Sequence, residues 1–516
     1  MIVLIAITGL CLFGQALVAQ EREAIQGEYI LMLQNGERPS QVIDQLPASH
    51  QDVTQRLLSG RLNIWLVAFQ EEASSTNNLL PSFRRLPEVQ IVQRNHNVTQ
   101  RDTTPNDPLF SQKWGLNNNG QSGGVTGADI SAPEAWERTT GGVTAKGDSI
   151  VVAVIDGGFD LQHEDLRYWK NQNEVPSNGI DDDNNGYIDD YDGWNAYNQD
   201  GSLPSDNHGT HVSGIVGAKG NNNTGLTGVN WNLRVMPIAG SSGDEATVLE
   251  AYGYALEMRA LYETTGGQEG AYVVATNSSF GVDFADPANY PVWCAFYDSL
   301  GSYGILSAGA TINSSENIDN VGDVPTGCSS PWLVSVTNST RQDQLNSSAG
   351  YGATTIDLAA PGTDINSTVT GSQYNDLTGT SMATPQVAGA IALLYSVNCP
   401  QLIDAYEQSP ASVALMIKDI VLNATDPLSS LQGKTVSGGR LNIDRAIDSV
   451  KSRFCTNCAH VSFQKVQPSC PNDSNGVIQV NIADSSSQYQ VDWSSGKSGR
   501  FRANLSAGDY TVTISD

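Results

Sequence analysis

The chain has 516 residues, 39% of them hydrophobic and 7% aromatic, with a formal net charge of -28. This composition suits folded domains rather than disorder, and at about 150 residues per domain it predicts roughly three folded units. So acidic a surface excludes nucleic acid and anionic membranes as partners, and it suits hard cations such as calcium.

Residues 1–19 (MIVLIAITGLCLFGQALVA) form an apolar run that ends in small residues, just before Glu21, Arg22 and Glu23. This predicts a signal peptide over 1–20, cleaved near Ala19 or Gln20, and hence a secreted, extracellular or cell-surface protein. Gly9, Gly14 and Gln15 interrupt the run and argue against a membrane anchor, and no later stretch reads as a transmembrane segment. Cys11 leaves with the signal. Cys294, Cys328, Cys399, Cys455, Cys458 and Cys470 remain. Their even number fits disulfides in an oxidising compartment, but spacing does not fix the pairing. Cys455 and Cys458 have half of a zinc spacing without a second half.

Runs 28–34, 63–69 and 89–93 read as strands with helix-permissive segments between them. They predict a small α+β unit over 21–104, followed by an exposed, cleavable polar stretch from His96 to Asp107. Over 105–453, strand-like runs (150–155, 233–238, 272–275, 304–307, 332–336) alternate with helical runs (211–218, 245–261, 384–396). That pattern predicts an α/β domain, a mostly parallel sheet with helices on both faces. Active groups in such sheets gather at the carboxyl ends of the strands. Runs 477–482, 489–493 and 510–514 alternate with period two and predict an all-β, sandwich-like module over 454–516. The last strand signal runs into the end of the sequence, as expected of a truncated module.

Three segments carry groups suited to nucleophilic chemistry. Asp156 ends the apolar run 150–155 and precedes Gly157 and Gly158. Taken alone, it reads as well as an Asx turn closing a strand. His208 lies in NHGTHVSG (207–214), where Gly209 permits close packing at a helix start. A neutral imidazole there can accept a proton near pH 7 once a carboxylate fixes its tautomer. A His208/His211 metal pair lacks the accompanying Glu of metallopeptidase helices, so His211 is expected to pack on the helix. Ser381 lies in GTSMATP (379–385), ahead of the apolar VAGAIALL (387–394). It opens a helix whose body must be buried, and Pro385 is expected in the first turn. Free N–H groups at such a start can stabilise charge on a substrate carbonyl, although a lone serine there reads equally as an N-cap.

Together the segments, in the order Asp, His, Ser, resemble the subtilisin-like serine protease family (subtilases) over most of 105–450. The resemblance implies a subtilisin-like three-layer sandwich. It implies Ser381 as nucleophile, His208 as general base and acid, and Asp156 as the orienting carboxylate, with no cofactor in catalysis. Ser279, Phe280 and Gly281 (in NSSFG, 277–281) resemble the strand that pairs with an extended peptide. Ser307, Ala308 and Gly309 resemble the opposite wall of the primary pocket. For both segments, plain sheet structure is the alternative. The family usually places an oxyanion-binding Asn straight after Ala-Gly. Here Ala310 and Thr311 follow, so Asn313, the Thr311 hydroxyl and the Ser381 N–H alone all stay open.

Residues 181–192 (DDDNNGYIDDYD) resemble a twelve-residue calcium loop. Asp181, Asp183, Asn185, the Tyr187 carbonyl, Asp189 and Asp192 would be ligands, Gly186 would make the sharp turn, and Ile188 would anchor the loop. A solvated acidic loop is the alternative. The α+β unit resembles a propeptide that inhibits its own enzyme, with self-cleavage expected within 96–106. The terminal module resembles repeats of bacterial surface proteins and implies surface attachment. A secreted peptidase acting on proteins or peptides is the leading expectation. A catalytically weak, calcium-stiffened adhesin of the same fold is the alternative.

Overall fold

A computed structural model describes residues 24–34, 36–46, 53–69, 79–96, 103–455, 461–466, 474–482, 490–493, 497–506, 510 and 512–515. The predicted signal peptide, residues 97–102, Cys458 and Cys470 lie outside the described residues. The chain divides into two compact units, Met1–Arg101 and Asp102–Asp516.

In the first unit β1 (Ala24–Leu33), α1 (Pro39–Ile43), β2 (Val53–Ser59), β3 (Ile64–Phe69), α2 (Leu80–Phe83) and β4 (Val89–His96) follow in order. The strands form an antiparallel sheet ordered β2-β3-β1-β4. Alternate residues Tyr29, Leu31 and Leu33 of β1 pack with Val67, Val92 and Phe83 to form its core. The strand β2 (VTQRLLS) is an edge strand whose residues 54–58 are all exposed, so no alternation announces it.

The second unit begins with α3 (Ala132–Trp136), β5 (Ile150–Asp156), β6 (Trp194–Asn195), α4 (Asn207–Gly217), β7 (Arg234–Ala239), α5 (Glu245–Thr264), β8 (Tyr272–Ser278) and β9 (Val282–Asp283). Next come α6 (Pro291–Ser302), β10 (Leu306–Ala310), α7 (Ile318–Val321), β11 (Asp323–Val324), β12 (Leu333–Ser339), β13 (Leu358–Pro361), β14 (Ile365–Val369) and β15 (Gln373–Leu377). The helices α8 (Thr380–Tyr395), α9 (Pro400–Gln408) and α10 (Pro410–Asn423), the short β16 (Asp426–Pro427) and β17 (Gly439–Arg440), and α11 (Ile443–Phe454) complete the domain.

Nine of these strands make one sheet, ordered β16-β17-β13-β12-β10-β8-β5-β7-β6 and parallel except at the β16 edge. Both faces are covered, which is why β5 is apolar at consecutive positions. Ile150, Val152 and Val154 pack with Val212 and Val216 of α4 and Ile391 of α8. Val151, Ala153 and Ile155 pack with Tyr252 of α5 and Trp293 of α6. The result is a three-layer α/β sandwich. Helix α8 is apolar on all sides because it is buried on all sides. Among the described residues no single helix is long and apolar enough to cross a membrane.

Among the described residues two disulfides form, Cys294–Cys328 and Cys399–Cys455. The second engages the first cysteine of the zinc-like pair. Beyond α11, β18 (Val461–Val466), β19 (Gly476–Ile482), β20 (Gln490–Trp493), β21 (Phe501–Leu505) and β22 (Val512–Ser515) form two small antiparallel sheets, with Val480, Val491 and Trp493 buried between them. This part is all-β.

Candidate active site

Asp156 is the last residue of β5 and His208 lies in the first turn of α4. Gly209 brings them together: a Cβ there would lie 2.2 Å from the Gly158 carbonyl oxygen and 2.9 Å from the Asp156 Cβ. Both Asp156 carboxylate oxygens lie 3.0 Å from His208 Nδ1, and one also accepts the Gly157 N–H at 2.7 Å. The carboxylate is buried while the imidazole is partly exposed. Burial of His208 disfavours its charged form. The Asp156 hydrogen bond and charge, with Asp206 adding, outweigh that and raise its pKa above the ordinary histidine value. His211 differs: its Nε2 lies 3.0 Å from the Ile365 carbonyl and 3.1 Å from the Asn375 carbonyl. Burial and then Lys113 push its pKa down to about 3, so it ties α4 to the β14–β15 hairpin as a neutral ring.

Ser381 lies in the first turn of α8, which packs against α4. Its hydroxyl donates to the Ser279 carbonyl at 3.2 Å, and among the described residues it makes no hydrogen bond with His208. The helix starts at Thr380, so Pro385 lies beyond the first turn, contrary to expectation. Proline has no N–H to return to the carbonyl four residues earlier, which here is Ser381. The Ser279 hydroxyl takes that role, donating to the Ser381 carbonyl at 2.9 Å, and Asn277 Nδ2 donates to the Ser279 hydroxyl at 3.0 Å.

A solvent-open cleft of about 390 Å³ lies beside Ser381, with Ser279–Gly281 on one wall and Ala310–Asn313 on the other. Phe280 leans on Trp293, and Gly281 passes so close to β11 that a Cβ would lie 2.3 Å from the Val324 carbonyl oxygen. Ser307, Ala308 and Gly309 do not line this cleft. They are buried in β10 between β8 and β12, and the wall starts only where the strand ends at Ala310.

The Thr311 hydroxyl is buried and turned to the Asp323 carboxylate, 3.3 Å away. Asn313 Oδ1 accepts the Thr380 N–H at 2.9 Å and the Thr380 hydroxyl at 3.2 Å. That fixes the amide orientation and leaves Nδ2, a donor, as the other branch at the cleft.

The residues of the predicted calcium loop do not converge as a set. Asp181 caps the N–H groups of Asn185 and Gly186, Asp189 caps those of Asn178 and Gly179, and Asp192 pairs with Lys170. The Tyr187 ring packs on Trp194 and Tyr254, while Ile188 is exposed and anchors nothing. Gly186 does supply a turn, at φ 94°. Asp183 instead meets Glu174 and Asp190, with carboxylate oxygens within 4.8 Å of one another. Asn171, Asn185 and Tyr254 donate to Asp190. Among the described residues, Glu174 Oε2 is buried without a partner. Burial, reinforced by the neighbouring carboxylates, pushes Asp190 up to about 6 and raises Glu174. An all-oxygen, partly orphaned set of this kind fits a hard cation such as calcium. Asp190 stood inside the acidic run, but its inward turn left no mark in the sequence.

A carboxylate–imidazole pair at a strand end and a serine at the start of a buried helix, set on a doubly covered parallel sheet, define a serine-hydrolase type of site. The subtilase family model matches residues 147–445, and the chain belongs to that family. It is 29% identical over 342 residues to subtilisin-like protease 1 of Plasmodium berghei, covering 61% of this chain and 52% of that one. It is 26% identical to the cell wall-associated protease of Bacillus subtilis (72% of this chain, 35% of that one). It is 31% identical to the thermophilic serine proteinase of Bacillus sp. strain AK1 (63% and 71%). The chain spans about half the length of the Plasmodium relatives it matches.

Proposed function

We propose that this chain is a secreted serine endopeptidase that hydrolyses peptide bonds of proteins through an acyl-enzyme. The observation that carries this is the buried Asp156 carboxylate held at 3.0 Å from His208 Nδ1, on the fold where Ser381 opens the neighbouring helix. An extended substrate adds its backbone beside Ser279–Gly281. A substrate N–H competes for the Ser279 carbonyl and frees the Ser381 hydroxyl to turn to His208. His208 Nε2 takes the hydroxyl proton as Oγ bonds to the scissile carbonyl carbon. The oxyanion meets the Ser381 N–H and Asn313 Nδ2. His208 then gives its proton to the leaving amine, the C–N bond breaks, and water repeats the attack on the acyl-enzyme.

The first unit serves as a propeptide over 21–104, inhibits the enzyme and is removed by cleavage within 96–106. The peptidase domain is 105–453, and the 454–516 module attaches the enzyme to a surface. Two disulfides support export to an oxidising compartment. Calcium, held by Glu174, Asp183 and Asp190, would neutralise their mutual repulsion and stiffen the segment between Asp156 and His208, with no part in the chemistry.

A fluorophosphonate probe is expected to label the processed protein on Ser381, and the protein to cleave casein. Ser381→Ala is expected to lose both and to remain unprocessed when purified alone. Labelling elsewhere, or self-processing of the variant, counts against the triad. In a pH profile of kcat/KM, the acid limb is expected above about 6.5, the ordinary histidine value. His208 must be neutral to accept the proton, and its raised pKa moves that limit to higher pH. Asn313→Ala is expected to lower kcat about 100- to 1000-fold with little change in KM, the loss seen for a side-chain oxyanion donor in subtilisin, itself a member of this family. Unchanged turnover would leave the Ser381 N–H as sole donor. Calcium at about a hundredfold excess over its Kd is expected to add about 2.7 kcal/mol of stability. EDTA should therefore lower the Tm of the native protein, and Asp190→Asn should abolish that sensitivity.

A further inference from the structure

The cleft beside Ser381 carries a charge pattern that peptide hydrolysis as such does not require. Two of its lining residues, Asp283 and Asp323, are acids, and none of them is a cation. The strands β9 and β11 pair antiparallel with Asp283 directly opposite Asp323. Residues so opposed share a face at about 5.5 Å, where like charges repel. Asp323 is 1% exposed, and its Oδ2 accepts from the hydroxyls of Thr311 and Thr326, so its position is fixed. Burial pushes its carboxyl up to about 6; the Thr326 bond opposes the rise and Asp283 adds to it. Asp283 is exposed. The scaffold beneath is braced by the tight passage of Gly281 over Val324, and by Cys294–Cys328, which ties α6 to the turn after β11. An exposed carboxylate opposite a fixed, buried one, with no cation among the residues that line the opening, is stabilised by whatever cation enters it.

We infer that this cleft receives a Lys or Arg side chain from the residue just before the scissile bond, its charge set against Asp323 and Asp283 and its aliphatic stem along Phe280. The inference rests on the peptidase function proposed above and names its substrate class. Long basic side chains combine an apolar stem with a charged tip, which matches an aromatic wall beside buried and exposed carboxylates. The net charge of -28 steers basic segments towards the molecule. The chain's own sequence offers one such bond. Within the expected self-cleavage stretch 96–106, Arg101 is the one Lys or Arg, so processing is assigned to the Arg101–Asp102 bond.

The test uses the processed enzyme and fluorogenic peptides that differ only in the residue before the cut: Arg, Lys, Leu, Phe or Glu. Arg and Lys are expected to exceed Leu and Phe in kcat/KM by about tenfold or more, and the processed chain is expected to begin at Asp102. Asp283→Asn should lower the Arg-to-Leu ratio. Asp283→Lys should lower it further and raise cleavage after Glu, a reversal that loss of structure alone would not produce. Asp323→Asn should also lower the ratio, and Asp283 provides the test should that buried variant fail to fold. A preference for Leu or Phe in enzyme that labels on Ser381 overturns the inference and leaves the peptidase reading standing. Absence of both labelling and cleavage overturns the two together.

Discussion

The backbone of Gly209 lies so close to the end of β5 that even a methyl group would sit 2.2 Å from the Gly158 carbonyl oxygen. That approach presses the first turn of α4 onto the carboxyl end of the central strand and delivers His208 to Asp156. The helix is held there from its other side as well. Ser367 and Thr368 of β14 donate their hydroxyls to the carbonyls of His211 and Thr210, and a Cβ on Gly214 would strike both side chains. The imidazole is therefore oriented by packed backbone, and the carboxylate only has to select its tautomer. Buried as it is, Asp156 can afford no other arrangement than full use of its oxygens, on Gly157 and His208.

Backbone accounting places Ser381 in the same way. Pro385 leaves the Ser381 carbonyl without its helical partner, and a carbonyl partly shielded from water favours a replacement donor. Ser279 supplies the missing hydroxyl, with Asn277 behind it. A helix irregularity thus becomes a lock between the helix that carries Ser381 and the strand beside which a substrate would lie. Asn313 makes the matching lock one residue earlier, on the Thr380 N–H, and in doing so aims its own amide. The first lock replaces a helical bond that the proline removes; the second caps one of the N–H groups that every helix start leaves without a partner.

What the sequence makes legible follows from how local each feature is. The run at 150–155 is apolar at every position because both sheet faces are covered, so the strand and its terminal Asp156 are readable directly. The His208 and Ser381 segments are readable because glycine and small residues mark close packing. The helix starts fall earlier than apolar periodicity indicates, at Asn207 and Thr380, since those first turns are polar and small. Ser307–Gly309 read alike as wall or as sheet interior. Only the point at which β10 leaves the sheet decides it, and that is a property of the neighbouring strands. Asp181, Asp183 and Asp189 are indistinguishable in the acidic run. Backbone N–H groups nearby claim Asp181 and Asp189, and the partners of Asp183 include a glutamate from before the loop. The strands 53–59 and 501–505 lack alternation because most of their residues face water.

The two acidic groupings obey one electrostatic rule and differ in access. Glu174, Asp183 and Asp190 are surrounded by donors from Asn171, Asn185 and Tyr254, with one carboxylate oxygen left orphaned inside. A charge-balancing group there must be small and resident. Asp283 and Asp323 are set opposite one another by a strand pair, but they line an open cleft beside Ser381. A resident ion there would block the wall along which a substrate side chain must pass, and two carboxylates supply too few oxygens to strip a hard cation of its water. The neutralising charge at that place is better carried on a long, flexible side chain that arrives with the peptide and leaves with the acyl group. On the functions proposed, the same surplus of carboxylates would stiffen the frame through a bound cation where it is enclosed, and would select substrate where it is open.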